Sequence, residues 1–510
     1  MLDQSAGKKI LAASGLIFLL AANGFFLQFA MLQQFDSNDY GGLIDTGWRI
    51  MHGQKPYVDF IYHVQPFFIY SMAWFFMLFG FTKAALLIHM LLVSSAMILI
   101  TYFMVRKRAS AFLAFVAAAL TTICFHWHYP FPNFTFDAIF WGAVGIFALA
   151  VQTPFGSARA AFWTCLLCSF AAGVSFMNKA NIGASYGVIF LVVALLSAKK
   201  AAAIEGYLSG ALLAALGSAL LAPDMGRFFL ANCDYLASQH VRLLMLLRPE
   251  SWIENGYWVP VLVVVLNLYG RQKASQELGV LFLGVVFVAI VSLSTGSWRL
   301  PCHIPLMGIT VGLGFVLLEE IKSSSDTTFR EAARKGSVGA LIVVALMQGG
   351  QTGLFSFQAA LGQQPPGSYL HIEKHDYVIQ SKPLDGWRCP RRWGEPLDHA
   401  VDFIKQNVSQ GESLVVLAQM QILYSLTGRE SFRGMPFQFM PQILPAPGRQ
   451  TEAVEKAVME HPPDWIVTYQ EGHLFYERFY AVLPELERYV QAHYALVQSW
   501  NPYVILRRVK

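Results

Sequence analysis

The sequence predicts a mostly α-helical, polytopic membrane bundle followed by a small α/β domain. Of its 510 residues, 55% are hydrophobic and 14% are charged, whereas soluble domains average about 25% charged residues. Forty Phe, 20 Tyr and 12 Trp suit long lipid-facing and interfacial surfaces. Long apolar stretches recur up to residue 355, and the rest of the sequence is polar. We therefore expect a membrane domain, 1–355, and a C-terminal domain, 356–510.

About eleven segments are predicted to cross the membrane, because a helix needs about 20 mostly apolar residues to span the hydrocarbon core. The first, 10–31, is too long for the core of a signal peptide, and no small-residue cleavage site is obvious after it. We therefore expect an uncleaved signal anchor. The other segments are 84–105, 110–127, 138–152, 161–178, 181–198, 206–222, 257–270, 278–294, 301–318 and 338–355.

The apolar stretch Phe67–Phe81 is predicted to lie on the membrane surface. Lys and Arg gather in short cytoplasmic loops. If this stretch does not cross the membrane, the basic clusters in all short loops lie on the same side as Lys8 and Lys9. If it does cross, the clusters from Arg106 onward lie on the opposite side. We therefore expect an interfacial helix here, a cytoplasmic N-terminus and a C-terminal domain on the outer side.

The polar C-terminal domain is predicted to alternate helices and strands. Its amphipathic and short apolar runs are typical of a small α/β domain. The predicted helices are 397–408, 419–426, 452–461 and 480–492, and the predicted strands are 413–418, 464–469, 494–500 and 503–508.

Charge and cysteine usage exclude several classes of protein. The net charge is only +5 and no large basic run is present, so nucleic acid is not an expected partner. Six scattered cysteines suggest neither a disulfide framework nor a zinc site. No nucleotide-binding glycine loop is visible. The expected partners are membrane lipids and a substrate that is not a free nucleotide.

The first predicted outer loop, 32–66, is rich in acids. Asp36, Asp39, Asp45 and Asp59 surround a short helix predicted at about 42–51. An acidic loop often does no more than face solvent. A carboxylate held at the lipid–water boundary, however, can have a raised pKa and act as a general base.

This loop also carries a longer pattern. An Asp precedes an amphipathic helix that ends in W-R-I-M-x-G-Q, and K-P-Y-V-D-F and a Pro follow. The pattern resembles the GT-C membrane glycosyltransferases, in the branch of the protein O-mannosyltransferases and the aminoarabinose and galacturonic acid transferases of lipid A. Asp39 stands fourteen residues before Gly53, which is the spacing of the family's catalytic Asp. The family often has a second acid next, where this chain has Tyr40, so Asp36 stays an alternative base.

The resemblance implies two further site residues. Asp137 ends the second outer loop, 128–137, where the family typically has another acid; alternatively, it interacts with a helix macrodipole. Lys179, in S-F-M-N-K-A-N-I-G, stands in a context similar to that of a family Lys and is expected to contact the donor phosphate. The alternative is a lysine that snorkels to the interface.

Three more basic residues are candidates for phosphate binding. Arg299 and His303 lie in the outer turn 295–303, and Arg242 lies in the loop 223–256. Each could equally be an ordinary interfacial residue. His126 and His128 suggest a metal only weakly, and no metal ligand set is predicted, although a divalent cation stays open as a cofactor.

The resemblance implies an inverting glycosyltransferase, a hexosyl- or pentosyltransferase. Its donor would be a polyprenyl-phosphate sugar and its acceptor a glycan, lipid or protein. The reaction would take place on the outer face of a bacterial inner membrane. The alternatives are an O-antigen ligase or polymerase, whose main site we would expect in a later loop such as 223–256, and a transporter or flippase without covalent chemistry.

Overall fold

The computed structural model is mainly helical. It describes residues 4–33, 35, 39–62, 65–125, 131–152, 155–221, 223, 306–322, 375–436, 449–472 and 474–509, with single positions 280, 281, 284, 285, 288, 336, 339, 342, 343 and 354. The helices before residue 375 are α1 (Gln4–Gln33), α2 (Asp39–Met51), α3 (Phe67–Phe79), α4 (Lys83–Arg106), α5 (Ala111–Cys124), α6 (Phe134–Gln152), α7 (Ala158–Asn178), α8 (Ala180–Leu196), α9 (Lys200–Leu221) and α10 (Met307–Lys322).

Within the described residues, five helices are long and apolar enough to cross a membrane: Ile10–Gln33 of α1, and α4, α6, α7 and α9. They coincide with predicted spans. Helices α5 and α8 are also predicted spans, but they are shorter. The predicted segment 257–270 and most of 278–294 and 338–355 lie outside the described residues. The count of eleven spans therefore stays a prediction.

Small residues allow α9 to approach α7 closely. A Cβ atom added at Gly206 or Gly210 would lie 2.1 Å from the backbone oxygen of Phe162 or Leu166. Glycine spaced in this way lets two helix backbones meet, which is a common way of packing helices in a membrane. The G-x-x-x-G pattern thus fixes one helix pair of the bundle.

The C-terminal region, residues 375–509 as far as described, contains two small sheets. A hairpin pairs β1 (Tyr377–Val378) with β2 (Arg388–Cys389). A second sheet has the order β3 (Leu414–Val416), β4 (Trp465–Tyr469), β6 (Tyr503–Arg508) and β5 (Tyr494–Trp500), with β3 and β4 parallel. The helices are α11 (Arg391–Asn407), α12 (Ile422–Thr427), α13 (Arg449–Glu460), α14 (Leu474–Tyr480) and α15 (Pro484–His493).

The predicted strands agree with β3 to β6, whereas α11 begins six residues earlier than predicted and the hairpin and the last helices also differ. The short strands β1 and β2 were not predicted, since two residues show no periodicity. The helix predicted at 480–492 is instead the end of α14 and all of α15, separated before Pro484. Proline favours the first turn of a helix because it has no N–H group to donate. The predicted domain boundary after residue 355 lies outside the described residues.

One end of the helical bundle contacts the C-terminal region; we call it the docking face. The backbone N–H of Phe35 donates to the Arg388 carbonyl at 3.0 Å. The indole of Trp48 in α2 donates to the Arg429 carbonyl at 2.8 Å. Lys83, the first residue of α4, lies 3.6 Å from the Asp385 carboxylate. Residues on both sides of α3 thus lie at the same face, in agreement with a surface helix that does not cross the membrane.

Candidate active site

Aromatic packing joins the segments that carry the predicted acids. The ring of Tyr40, in the first turn of α2, stacks on Phe131 with centroids 3.6 Å apart. Phe131 in turn lies 5.4 Å from the ring of Trp387 in the C-terminal region. Tyr40 follows Asp39 directly, and Phe131 stands six residues before Asp137. The first and second predicted outer loops therefore meet at the docking face.

The position of Tyr40 gives a physical role to the residue that stands where the resemblance led us to expect a second acid. Its side chain is buried, and stacking on Phe131 fixes the start of α2 against the neighbouring loop. Helix α2 begins at Asp39, earlier than the helix predicted at about 42–51. The side chain of Asp39 and all of Asp36 lie outside the described residues, so either acid remains a candidate base.

Asp137 is buried in the first turn of α6 and faces a histidine of α4. Its Oδ2 atom lies 3.2 Å from Nε2 of His89, and the two side chains are 5% and 3% exposed. Its Oδ1 atom has no hydrogen-bond partner among the described residues. The structure thus places a half-satisfied carboxyl group at the mouth of the bundle.

Lys179 lies beside the same turn. It is the single residue between α7 and α8, in the tight turn that the sequence predicts. Its Nζ atom donates to the Thr135 hydroxyl at 2.9 Å and lies 5.4 Å from the centroid of the Phe134 ring. Thr135 and Asp137 both lie in the first turn of α6, so the ammonium group and the carboxyl group stand at the same end of that helix; we call these side chains, together with His89, the polar cluster.

Asp45, by contrast, is a structural residue. Its Oδ2 atom accepts from Nε of Arg49 at 2.6 Å, and both side chains are fully buried. Its Oδ1 atom accepts from the Ser431 hydroxyl at 2.6 Å. Burial raises the pKa of the Asp45 carboxyl, while Arg49 and Ser431 oppose the rise. Both oxygens are occupied, so Asp45 has no free atom for a substrate.

The W-R-I-M-x-G-Q pattern holds α2 against the segment 429–436, and we call this contact the clasp. Arg49 donates from Nη1 to the Phe432 carbonyl at 3.0 Å and to Gln54 Oε1 at 3.2 Å. Gln54 donates to the Ser431 carbonyl. Gly53 has φ +77°, a conformation that favours glycine. These residues of the family pattern therefore act in packing.

Asp59 belongs to the clasp as well. Its Oδ2 atom accepts from the Lys55 backbone N–H at 2.8 Å, and its Oδ1 atom lies 3.0 Å from Nη1 of the exposed Arg433. The Asp59 backbone carbonyl accepts from Gly434 at 2.7 Å. The K-P-Y-V-D-F part of the pattern is thus a turn that meets the C-terminal region.

The other predicted phosphate-binding residues, Arg299, His303 and Arg242, lie outside the described residues, as do His126 and His128. The described residues contain no group of three or more His, Cys, Asp or Glu side chains that could hold a metal ion. A role for these basic residues and a divalent cation at the site therefore stay predictions.

Sequence reasoning did not single out His89. The one available signal is a titratable residue inside an apolar span, which in membrane proteins tends to be functional. Its partner cannot be predicted from spacing, because Asp137 is 48 residues away. Ser431 gives no signal at all, since a lone serine in a polar segment has no distinguishing pattern.

Solved structures similar to this chain are membrane glycosyltransferases of the GT-C superfamily. ArnT from Cupriavidus metallidurans, bound to undecaprenyl phosphate, is 13% identical, with 99% of this chain and 98% of ArnT covered and a TM-score of 0.52. The Archaeoglobus fulgidus oligosaccharyltransferase, tethered with an acceptor peptide containing the NVT sequon, is 11% identical, with 99% of this chain and 75% of that chain covered and a TM-score of 0.54.

No protein-family model matches the sequence, and no curated protein matches it significantly. The structural similarity extends over nearly the whole chain, although identity is low. Similarity of this kind concerns the fold, and function must be argued from the site. Over nearly its whole length the chain shares the fold of these solved membrane glycosyltransferases, which is the fold that the pattern in its first loop predicted.

Proposed function

We propose that this chain is an inverting glycosyltransferase that moves a sugar, a hexose or a pentose, from a polyprenyl-phosphate donor to a glycan, lipid or protein acceptor. The observation that supports it best is the polar cluster at the docking face. There Asp137 has a buried oxygen that no described residue pairs with, and Lys179 lies beside the same helical turn. Stacking of Tyr40 on Phe131 joins this cluster to the start of α2, where Asp39 stands.

Inversion requires a single displacement. The acceptor oxygen or nitrogen attacks the anomeric carbon from the face opposite the phosphate, and the carbon–oxygen bond to the phosphate breaks as the new bond forms. Asp39, or Asp36 in its place, takes the acceptor's proton, and such a base contributes about 10²–10⁴-fold in rate. Asp137 orients the acceptor or holds a divalent cation.

The leaving phosphate gains negative charge in the transition state, and a cation placed there stabilises it. Lys179 is the described residue that we assign to this role, since its ammonium group lies at the first turn of α6, beside Thr135. Arg299, His303 and Arg242 are proposed as additional phosphate contacts. The lipid tail would lie between helices of the bundle.

The neighbours support a lipid-linked donor. ArnT was crystallised with undecaprenyl phosphate, and the archaeal oligosaccharyltransferase AglB with an inhibitory peptide and a dolichol-phosphate. We place the protein in a bacterial inner membrane, with its N-terminus in the cytoplasm and its C-terminal region outside. Transfer would then take place where the C-terminal region covers the site.

The test uses a strain that lacks the protein. Mass spectrometry of its lipids and glycans identifies the product that disappears, and plasmid-borne variants are scored for restoring it. We expect Asp39→Asn, or Asp36→Asn if that acid is the base, to fail to restore the product although the variant protein is present in the membrane at the normal level. Full restoration by both variants overturns the base assignment. If losses are instead confined to Arg variants of 223–256, the ligase or polymerase is favoured.

A further inference from the structure

His89 lies inside the bundle in a largely apolar setting. It is six residues into α4, which places it about 9 Å along the helix from Lys83 at 1.5 Å per residue. The rings of Phe75 and Phe68, both from α3, lie at centroid distances of 4.9 Å and 6.2 Å from its imidazole. Its charged neighbour among the described residues is Asp137, at 3.2 Å.

In the pair of His89 and Asp137, one polar atom of each side chain has a partner among the described residues and the other has none. Asp137 Oδ2 faces His89 Nε2, whereas Asp137 Oδ1 and His89 Nδ1 have no hydrogen-bond partner among the residues that the structure describes. A buried polar atom without a partner costs free energy, so most such atoms in proteins are paired. The unpaired Oδ1 therefore indicates a ligand group that donates a hydrogen bond.

Asp45 shows what a purely structural buried carboxylate looks like in this chain. Each of its oxygens has a protein donor, from Arg49 and from Ser431. Asp137 is nearly as enclosed, but the described residues give it one donor only, His89. Its second oxygen therefore has capacity for a further hydrogen-bond donor.

We propose that His89 is a positioning residue: its Nε2–H holds Asp137 Oδ2, so that Oδ1 stays free to accept a hydrogen bond from a hydroxyl or ammonium group of the substrate. This inference rests on the proposed transferase function. The bond fixes the rotamer of Asp137, and the flanking rings of Phe68 and Phe75 limit the movement of the imidazole. His89 acts through Asp137 and does not touch the reacting atoms.

Two amide substitutions test the position of the donor. Gln places its side-chain nitrogen close to the position of histidine Nε2, whereas Asn, one methylene shorter, cannot reach it. We expect His89→Asn to lower kcat about 10–100-fold, as loss of an orienting outer partner does, with a smaller change in KM. His89→Gln should stay within about threefold of the wild type. Equal activity of the Asn variant and the wild type overturns the proposal.

A double-mutant cycle then shows whether His89 acts through Asp137. In the Asp137→Asn background, His89→Asn should cost little more, because residues that act as a unit are not additive. If the losses in kcat of the two single variants multiply in the double variant, the proposal is overturned. The same cycle on melting temperature in detergent needs no turnover, and there Asp137→Ala, which removes the acceptor, takes the place of Asp137→Asn: coupled shifts support the bond, and independent shifts overturn it. If the wild-type protein transfers no sugar, only the proposed function is overturned, because the double-mutant cycle on melting temperature can still be measured.

Discussion

Two buried carboxylates, Asp45 in the clasp and Asp137 in the polar cluster, are almost equally enclosed but differently satisfied. Asp45 accepts from Arg49 and Ser431 with one oxygen each. Asp137 has His89 on one oxygen and no partner among the described residues on the other. The difference separates an acid that holds two parts of the chain together from one that is available to a substrate.

Substitutions in the clasp should lower the stability of the protein more than substitutions in the polar cluster. Asp45→Ala leaves the Arg49 guanidinium buried without its counter-ion, and breaking a buried pair in this way costs about 3–5 kcal/mol. We expect a large fall in the free energy of unfolding, measured by denaturant titration in mixed micelles. The double variant Asp45→Leu/Arg49→Leu is the control, because removing both charges leaves neither unpaired. A double variant as unstable as Asp45→Ala would contradict the comparison.

The polar cluster should be the more sensitive region in activity. Asp137→Asn keeps the size of the side chain but weakens its acceptor, and misplaced substrate groups cost on the order of 100-fold in rate. Transfer rates of the purified protein check this. The melting temperature should stay close to that of the wild type, because the amide can still accept from His89. A fall in melting temperature with unchanged kcat would place Asp137 among the structural acids.

A smaller loss of stability is expected when the serine of the clasp is replaced. Ser431→Ala removes the hydrogen bond to Asp45 Oδ1 and leaves a buried oxygen unsatisfied, which costs about 1–3 kcal/mol. Transfer activity at a permissive temperature should be retained. Ser409→Ala is a suitable control, since that serine is exposed. Equal stability of the Ser431 and Ser409 variants would show that the clasp does not need this contact.

The smallest effect is expected at the rim of the clasp. Arg433→Ala breaks the contact with Asp59, but the arginine side chain is 62% exposed, and exposed ion pairs contribute about 0–1 kcal/mol. The melting temperature of Arg433→Ala should stay close to that of the wild type. High salt should shift the melting temperatures of the variant and of the wild type by similarly small amounts. A loss as large as that of Ser431→Ala would extend the buried clasp to this position.

Much of the fold could be predicted because it follows from local sequence. The apolar stretches predicted the helices α1 and α4 to α9 to within six residues at each end, and the strands β3 to β6 were predicted nearly correctly. The surface position of α3 stays a prediction from where the basic residues lie. The short strands β1 and β2 depend on contacts between distant segments, so no local pattern indicates them.

The candidate site was predictable only in part. Asp137 and Lys179 were identified by resemblance, and the structure brings both to the first turn of α6. His89 was missed because one histidine in an apolar helix has no sequence partner. Only the resemblance favoured Asp39 over Asp45 and Asp59, since Asp36, Asp39, Asp45 and Asp59 all lie within one short loop.

The sequence by itself determined that this is a helical membrane protein and where most of its described helices lie, because apolar length and period are properties of neighbouring residues. Only the tertiary structure decided which acids are structural. Asp45 and Ser431 are 386 residues apart, and nothing in either segment indicates the other. Whether a carboxylate oxygen is satisfied or free depends on such distant partners, and that distinction separates the clasp from the polar cluster.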